Sequence, residues 1–188
     1  ENKKDIKKKL SKLKKFLPTE EEFDEITLRS VWRYVDKQSE KNEEGNIEVI
    51  QALSRDIGRV YDPVVNKFKV ATIQIEIIKF EDVNKLKNYW FNEKNSSLLN
   101  LYENAYLVGN PNEYAECLFN YSNTGAITIC KTDGFVIQSI IFDKYQEHYM
   151  YSKPQTGFKK LELNQDEMTT RIVDNILKKI QKNTEISS

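Results

Sequence analysis

The stretch CLFNYSNTGAITICKTDGFVIQSIIF (117–142) limits this chain most tightly. It holds the only two cysteines, Cys117 and Cys130, and two turn signals, SNTG (122–125) and TDGF (132–135). Asp133-Gly134 is a strong two-residue hairpin signal, because both turn positions need positive φ. Three short antiparallel strands are therefore expected. With Asn123-Thr124 as the first loop, Ser122 faces Gly125, Asn120 faces Ile127 and Cys117 faces Cys130. Pairs alternate in kind, and the cysteines fall on a non-hydrogen-bonded one with Cα atoms ~4.5 Å apart, at the short edge of disulfide range. A slip of one residue would point the thiols to opposite faces. A bond here closes a loop of about 14 residues, stabilises by about 3 kcal/mol in the chain-entropy model, and belongs to an oxidising compartment. The competing reading is two buried free thiols in a cytosolic protein.

The same register sorts the hairpins into two faces. One collects Leu118, Ile127, Ile129, Val136 and Ile140. The other collects Phe119, Tyr121, Phe135, Ile137, Ile141 and the cysteine pair. Both are substantially apolar, whereas a sheet wet on one side shows cleaner alternation. Either helices cover both faces or one face meets a partner or ligand. An exposed apolar patch marks an interaction site, so Phe119, Tyr121 and Phe135 are the candidate contact residues.

Upstream, FKVATIQIEIIKF (68–80) alternates, with Ala71, Ile73, Ile75 and Ile77 opposite Gln74 and Glu76, as a half-buried strand does. EDVNKLKNYWFN (81–92) puts Val83, Leu86 and Tyr89/Trp90 on one helical face. NAYLVGNPNE (104–113) reads as a short strand closed by a turn. VWRYV (31–35) reads as a strand and the polar DKQSEKNEEGN (36–46) as a loop. IEVIQALSRDIGRVY (47–61) fits helix or strand. DKYQEHYMYSKPQTGFKK (143–160) reads as an irregular excursion. NQDEMTTRIVDNILKKIQK (164–182) opens with Asn164 and Glu167 as a capping pair and lines up Ile172, Val173, Ile176, Leu177 and Ile180, so a helix is expected. The predicted class is α+β: an antiparallel sheet of about 4–6 strands with helices packed on it.

The N-terminus differs in character. DIKKKLSKLKKFL (5–17) spaces Ile6, Leu10, Leu13 and Phe16/Leu17 as a basic amphipathic helix that Pro18 stops. Thr19 with Glu22 then has the capping-box pattern of a second short helix. Net charge is zero, yet residues 1–17 carry eight lysines against Glu1 and Asp5, hence +6, and the remainder −6. The predicted division is a helical arm at 1–17 and one domain at 18–188. The asymmetry fits either two solvated charged faces or a basic arm suited to a membrane surface, a nucleic acid or an acidic protein partner. Few arginines and the acidic remainder argue against nucleic acid. No apolar run of ~18 residues is present. The first residue is Glu rather than Met, the start that a removed export signal or a trimmed end would leave.

Catalytic patterns are missing. There is no GxGxxG, Walker sequence, HExxH or GxSxG. His148 is the single histidine and reads as a surface residue. The thiols are thirteen apart without a CxxC, which argues against metal. Asp62 or Glu76 with Glu81/Asp82 could pair as carboxylates, but their neighbours read as strand-edge and helix-start positions. No cofactor is expected. Of two sequons, Asn95-Ser96-Ser97 lies in an expected loop and is the better acceptor, while Asn120-Tyr121-Ser122 lies on an apolar face.

FLPTEEEFDEITLRSVWRYVD, VATIQIEIIKFEDVNKLKNYW, ECLFNYSNTGAITICKTDGFVIQ and RIVDNILKKI, in that order over residues 16–180, resemble exported prokaryotic α+β domains of lipoprotein-type, PsbP-like or extracytoplasmic sensor-like kinds. The resemblance implies an envelope location, a binding, sensing or accessory role, and no transferable catalytic residue. The expectation is thus an exported, non-catalytic binding or accessory protein acting through protein–protein contacts. One alternative is a small-ligand sensor with a pocket between the sheet and helix 81–92, lined by Tyr89, Trp90 and Tyr106. The other is a cytosolic regulatory protein or enzyme with free thiols.

Overall fold

Strand alternation and turn chemistry build one antiparallel sheet. The computed structural model describes residues 12–27, 32–56, 60–62, 67–95, 106–108, 115–122, 125–145 and 165–187. After a 3-10 turn at Lys12–Phe16 come helix α1 (Glu20–Thr27) and strands β1 (Trp32–Lys41), β2 (Ile47–Asp56), β3 (Val60–Asp62) and β4 (Lys67–Phe80). Helix α2 (Val83–Lys94) precedes β5 (Tyr106–Val108), β6 (Glu116–Ser122), β7 (Gly125–Thr132) and β8 (Phe135–Tyr145), and α3 (Gln165–Ser187) ends the chain. The sheet order is β1-β2-β4-β8-β7-β6-β5, with β3 beside β4. Six of these strands have seven residues or more, and β3 and β5 have three each. The α+β expectation therefore holds.

Two expectations for the first hairpin change. Residues 36–41 extend β1 rather than forming a loop, because β1 is an edge strand that, among the described residues, pairs only with β2 and can remain polar. Within the 47–61 segment, residues 47–56 and 60–61 are strand, and residues 57–59 lie outside the described residues. Ile50, Ala52 and Ser54 are buried while Gln51 and Arg55 are exposed, a period of two that overrides the helical spacing of Val49 and Leu53. Asn42 shapes the connecting turn: its Oδ1 accepts from Ile47 N at 2.9 Å, and Gly45 takes φ 73°.

The β6–β7–β8 register follows the turn chemistry. Ser122 pairs with Gly125, Cys117 with Cys130, and Thr132 with Phe135 across Asp133-Gly134, where Gly134 has φ 76°. Gly125 has a separate constraint. A Cβ there would lie 2.7 Å from the Ile141 carbonyl oxygen, a backbone atom that cannot swing aside. Gly125→Ala is expected to lower stability by about 1–3 kcal/mol through overpacking, read as a drop in denaturation midpoint.

Helices cover both faces. The inner face presents Ile50, Ile73, Ile75, Ile77, Ile137 and Ile141 to Met168, Ile172, Val173, Ile176, Leu177 and Ile180 of α3. Phe23 of α1 stacks on Trp32 with centroids 6.4 Å apart. The outer face presents Ile78, Phe80, Leu118, Ile127, Ile129 and Val136 to Leu86 and Trp90 of α2. Full burial of each such side chain stabilises by about 1.5–3 kcal/mol.

The N-terminal segment joins the inner core. Leu13, Phe16 and Leu17 are buried, and Phe16 meets Phe135 edge-on at 5.7 Å. This part of the expected arm is bound into the domain, so its apolar stripe is not free to meet a membrane; residues 1–11 lie outside the described residues. The capping box forms as the spacing requires: Glu22 N donates to Thr19 Oγ1 at 3.1 Å and Thr19 N to Glu22 Oε2 at 3.0 Å. Lys179 of α3 closes the arrangement, donating to the Leu17 carbonyl at 2.9 Å and to Glu22. Tyr34 adds a hydrogen bond from its hydroxyl to the Pro18 carbonyl at 2.6 Å.

Burial opposes ionisation of Glu22, but the hydrogen bonds from Lys179 and Thr19 N–H, with the Lys179 charge, hold its carboxyl below the ordinary value of 4.5. A depressed carboxylate stabilises fully above its unfolded value, and this contribution is lost as pH falls through the folded value. The Glu22→Gln variant is thus expected to match wild type more closely in stability below pH 4 (approximate) than at neutral pH. Urea midpoints across that range test this; an equal gap at both ends would show that the Glu22 charge does not stabilise the clamp.

Candidate functional site

Cys117 and Cys130 form a disulfide on the inner face, with Cα atoms 4.1 Å apart and side chains 1 % and 0 % exposed. It lies within the core that α3 covers, so it braces the hairpin and offers solvent no reactive sulfur.

Two of the candidate contact residues, Phe119 and Phe135, share that face. Phe119 is 5 % exposed, and Phe135 is half-buried against the core. Tyr121 pairs with Ala126 in the ladder, and its side chain lies outside the described residues. The expected apolar docking face is therefore corrected at Phe119 and Phe135: Phe119 is buried, and Phe135 packs against Phe16 of the N-terminal segment and the inner core. Sequence showed two apolar faces; it did not show which element packs on each.

Two of the expected pocket residues, Tyr89 and Trp90, lie on α2. Trp90 is buried among Ile78, Phe80, Leu118 and Val136. Lys94 and Lys131 place Nζ 5.9 and 5.8 Å from its ring centroid, and both pair with Glu116. The hydrogen bond from Lys94 is the main cause that holds the Glu116 carboxyl below its ordinary range. Tyr106 pairs with Phe119 in the sheet register, and its side chain lies outside the described residues. Asn95 is exposed at the end of α2, where its Nδ2 donates to the Phe91 carbonyl at 2.8 Å. Ser96 and Ser97 lie outside the described residues, as does His148. Asn120 is fully buried.

Among the carboxylates, Asp82 caps α2 by accepting from Asn84 N at 2.8 Å. Glu81 is exposed, and the Asp62 side chain lies outside the described residues. Glu76 belongs to a polar rung on the outer face. The registers align Gln38, Gln51, Glu76 and Gln138 across β1, β2, β4 and β8. Gln51 Nε2 donates to Glu76 Oε2 at 2.6 Å. Tyr89 and Glu93 of α2 flank the rung. Burial and then the Glu93 and Glu76 charges push the Tyr89 hydroxyl up, so it remains neutral and donates to Glu93. Burial, with repulsion from Glu76, raises the Glu93 carboxyl above its usual range.

At the β1 end of this rung is a hollow of about 110 Å³ lined by Gln38, Ser39, Glu40, Val49 and Gln51. Small-molecule sites occupy ~300–1,000 Å³, so the hollow can take one side chain of a larger partner but not a cofactor. Its walls supply amides, a hydroxyl and a carboxylate, which can hydrogen-bond and attract cations. Among the described residues, no group of three or more His, Cys, Asp or Glu is placed to hold a metal ion. Sequence reasoning missed the rung because it ended β1 at residue 35, and simple alternation would not have found it: the register shifts between Tyr34 and Asp36, which puts residues 36, 38 and 40 on the face opposite Tyr34.

No family model, curated protein or solved structure matches the chain.

Proposed function

We propose that this chain is an exported or envelope-associated binding protein that works through protein–protein contacts without catalysis. The observation that carries the reading is the buried Cys117–Cys130 disulfide. Such bonds persist in oxidising compartments and are rare where glutathione and thioredoxin keep thiols reduced. The absence of any helix long and apolar enough to cross a membrane, among the described residues, is compatible with a domain that stands free at the envelope. The exposed polar flank of β1 beside the shallow hollow supports contact with another protein over enclosure of a small molecule.

The test is thiol trapping in the native cell. Cells are quenched in acid, the protein is denatured, and free thiols are alkylated with a mass-shifting maleimide. No added mass before reductant and two additions after it are expected. Two additions without reductant would overturn the export reading and favour a cytosolic protein.

A further inference from the structure

The outer edge of β1 pairs with no strand among the described residues. An unpaired edge offers a row of backbone donors and acceptors to an incoming strand. Its two flanks differ in charge. On the inner flank, Lys37 lies over the Tyr34 ring, with Nζ 4.0 Å from the centroid, and Lys41 pairs with Glu48 at 3.8 Å. On the outer flank stand Asp36, Gln38 and Glu40, all exposed. Behind them the registers run Leu53 and Gln74, Gln51 and Glu76, and Val49 and Ile78, with no lysine or arginine on these three rungs. The hollow lined by Gln38, Ser39, Glu40, Val49 and Gln51 opens on this flank.

We propose that the β1 edge binds an extended, basic segment of a protein partner, which adds as an antiparallel strand and sets Lys or Arg opposite Asp36 and Glu40. Those positions are four apart on one flank, so the segment carries two basic residues at that spacing. A polar residue between them meets Gln38 at the hollow. Opposite-charge cross-strand pairs stabilise and like-charge pairs destabilise, which also argues against a second copy of this chain. Antiparallel self-pairing keeps flanks matched only when a β1 residue from 36 to 40 faces itself. Those registers oppose Asp36 to Asp36, Lys37 to Lys37, Asp36 to Glu40, Lys37 to Lys41 or Glu40 to Glu40.

The inference rests on the binding-protein reading and deepens it. Its test uses the full chain, isotope-labelled, titrated with the peptide Thr-Lys-Thr-Gln-Thr-Lys-Thr and with the same peptide bearing Glu for Lys. Amide shifts confined to β1 and the adjoining β2 residues are expected, with the Lys peptide binding about tenfold tighter. The double variant Asp36→Lys/Glu40→Lys is expected to reverse the preference. Both residues are exposed; should the variant fail to fold, the two peptides on wild type alone decide. Equal binding of both peptides, shifts elsewhere, or no binding would overturn the proposal. So would concentration-dependent dimers in sedimentation, which would make a second copy the occupant. Thiol trapping is independent of these readouts, so an oxidised pair without peptide preference removes the edge proposal alone.

Discussion

Replacing Cys117 and Cys130 together by alanine is expected to lower the unfolding free energy by about 3 kcal/mol and the melting temperature by roughly 6–12 °C. The bond joins residues 13 apart, and a loop of that length restricts the unfolded chain by about that amount. Alanine is chosen because both positions are buried in the α3-covered core, where a serine hydroxyl would add a desolvation cost. Wild type melted in strong reductant should fall toward the variant, while the variant should not respond to reductant. An unchanged melting point for the variant would show that the bond does not brace the hairpin.

Trp90→Ala is expected to cost about 3–5 kcal/mol, as truncation of a buried aromatic residue does. Trp90 is 4 % exposed and, with Leu86, anchors α2 to the outer face. Its removal should also release Lys94 and Lys131 from the ring and raise amide exchange along Val83–Lys94. This separates core from pocket wall: a residue lining a ligand cavity could be truncated with little loss of stability. A midpoint within experimental error of wild type would sink the core assignment and restore the sensor alternative.

The parts of the fold that were legible from sequence are those set by near neighbours. Alternation in 72–80, the Asp133-Gly134 turn, the Thr19–Glu22 box and the Ile172–Ile180 stripe each depend on a few adjacent residues, and each appears as expected. The cysteine pairing was legible for the same reason, since two turn residues set the register of both strands. Residues 36–41 misled because a polar edge strand and a polar loop have the same composition. The ambiguity at 47–61 arose because Val49, Leu53 and Ile57 fit a helix, whereas pairing with both β1 and β4 selects the strand. The candidate site was less legible. Gln38, Gln51, Glu76 and Gln138 are far apart in sequence, and only strand order makes them neighbours.

From sequence alone came the sheet-and-helix class, the register that sets Cys117 against Cys130, and the division of the hairpins into two apolar faces. These follow from side-chain alternation and turn geometry, which act over a few residues. Tertiary structure alone decided that α3 covers the cysteine face, that α2 seats Trp90 on the other, and that Leu13, Phe16 and Leu17 belong to the core. It also decided that β1 is an edge with an acidic outer flank. The physical reason is that alternation says which side chains point the same way, but not what will be there to meet them. That depends on the free energy of packing distant elements together, and at β1 it leaves an edge unpaired among the described residues.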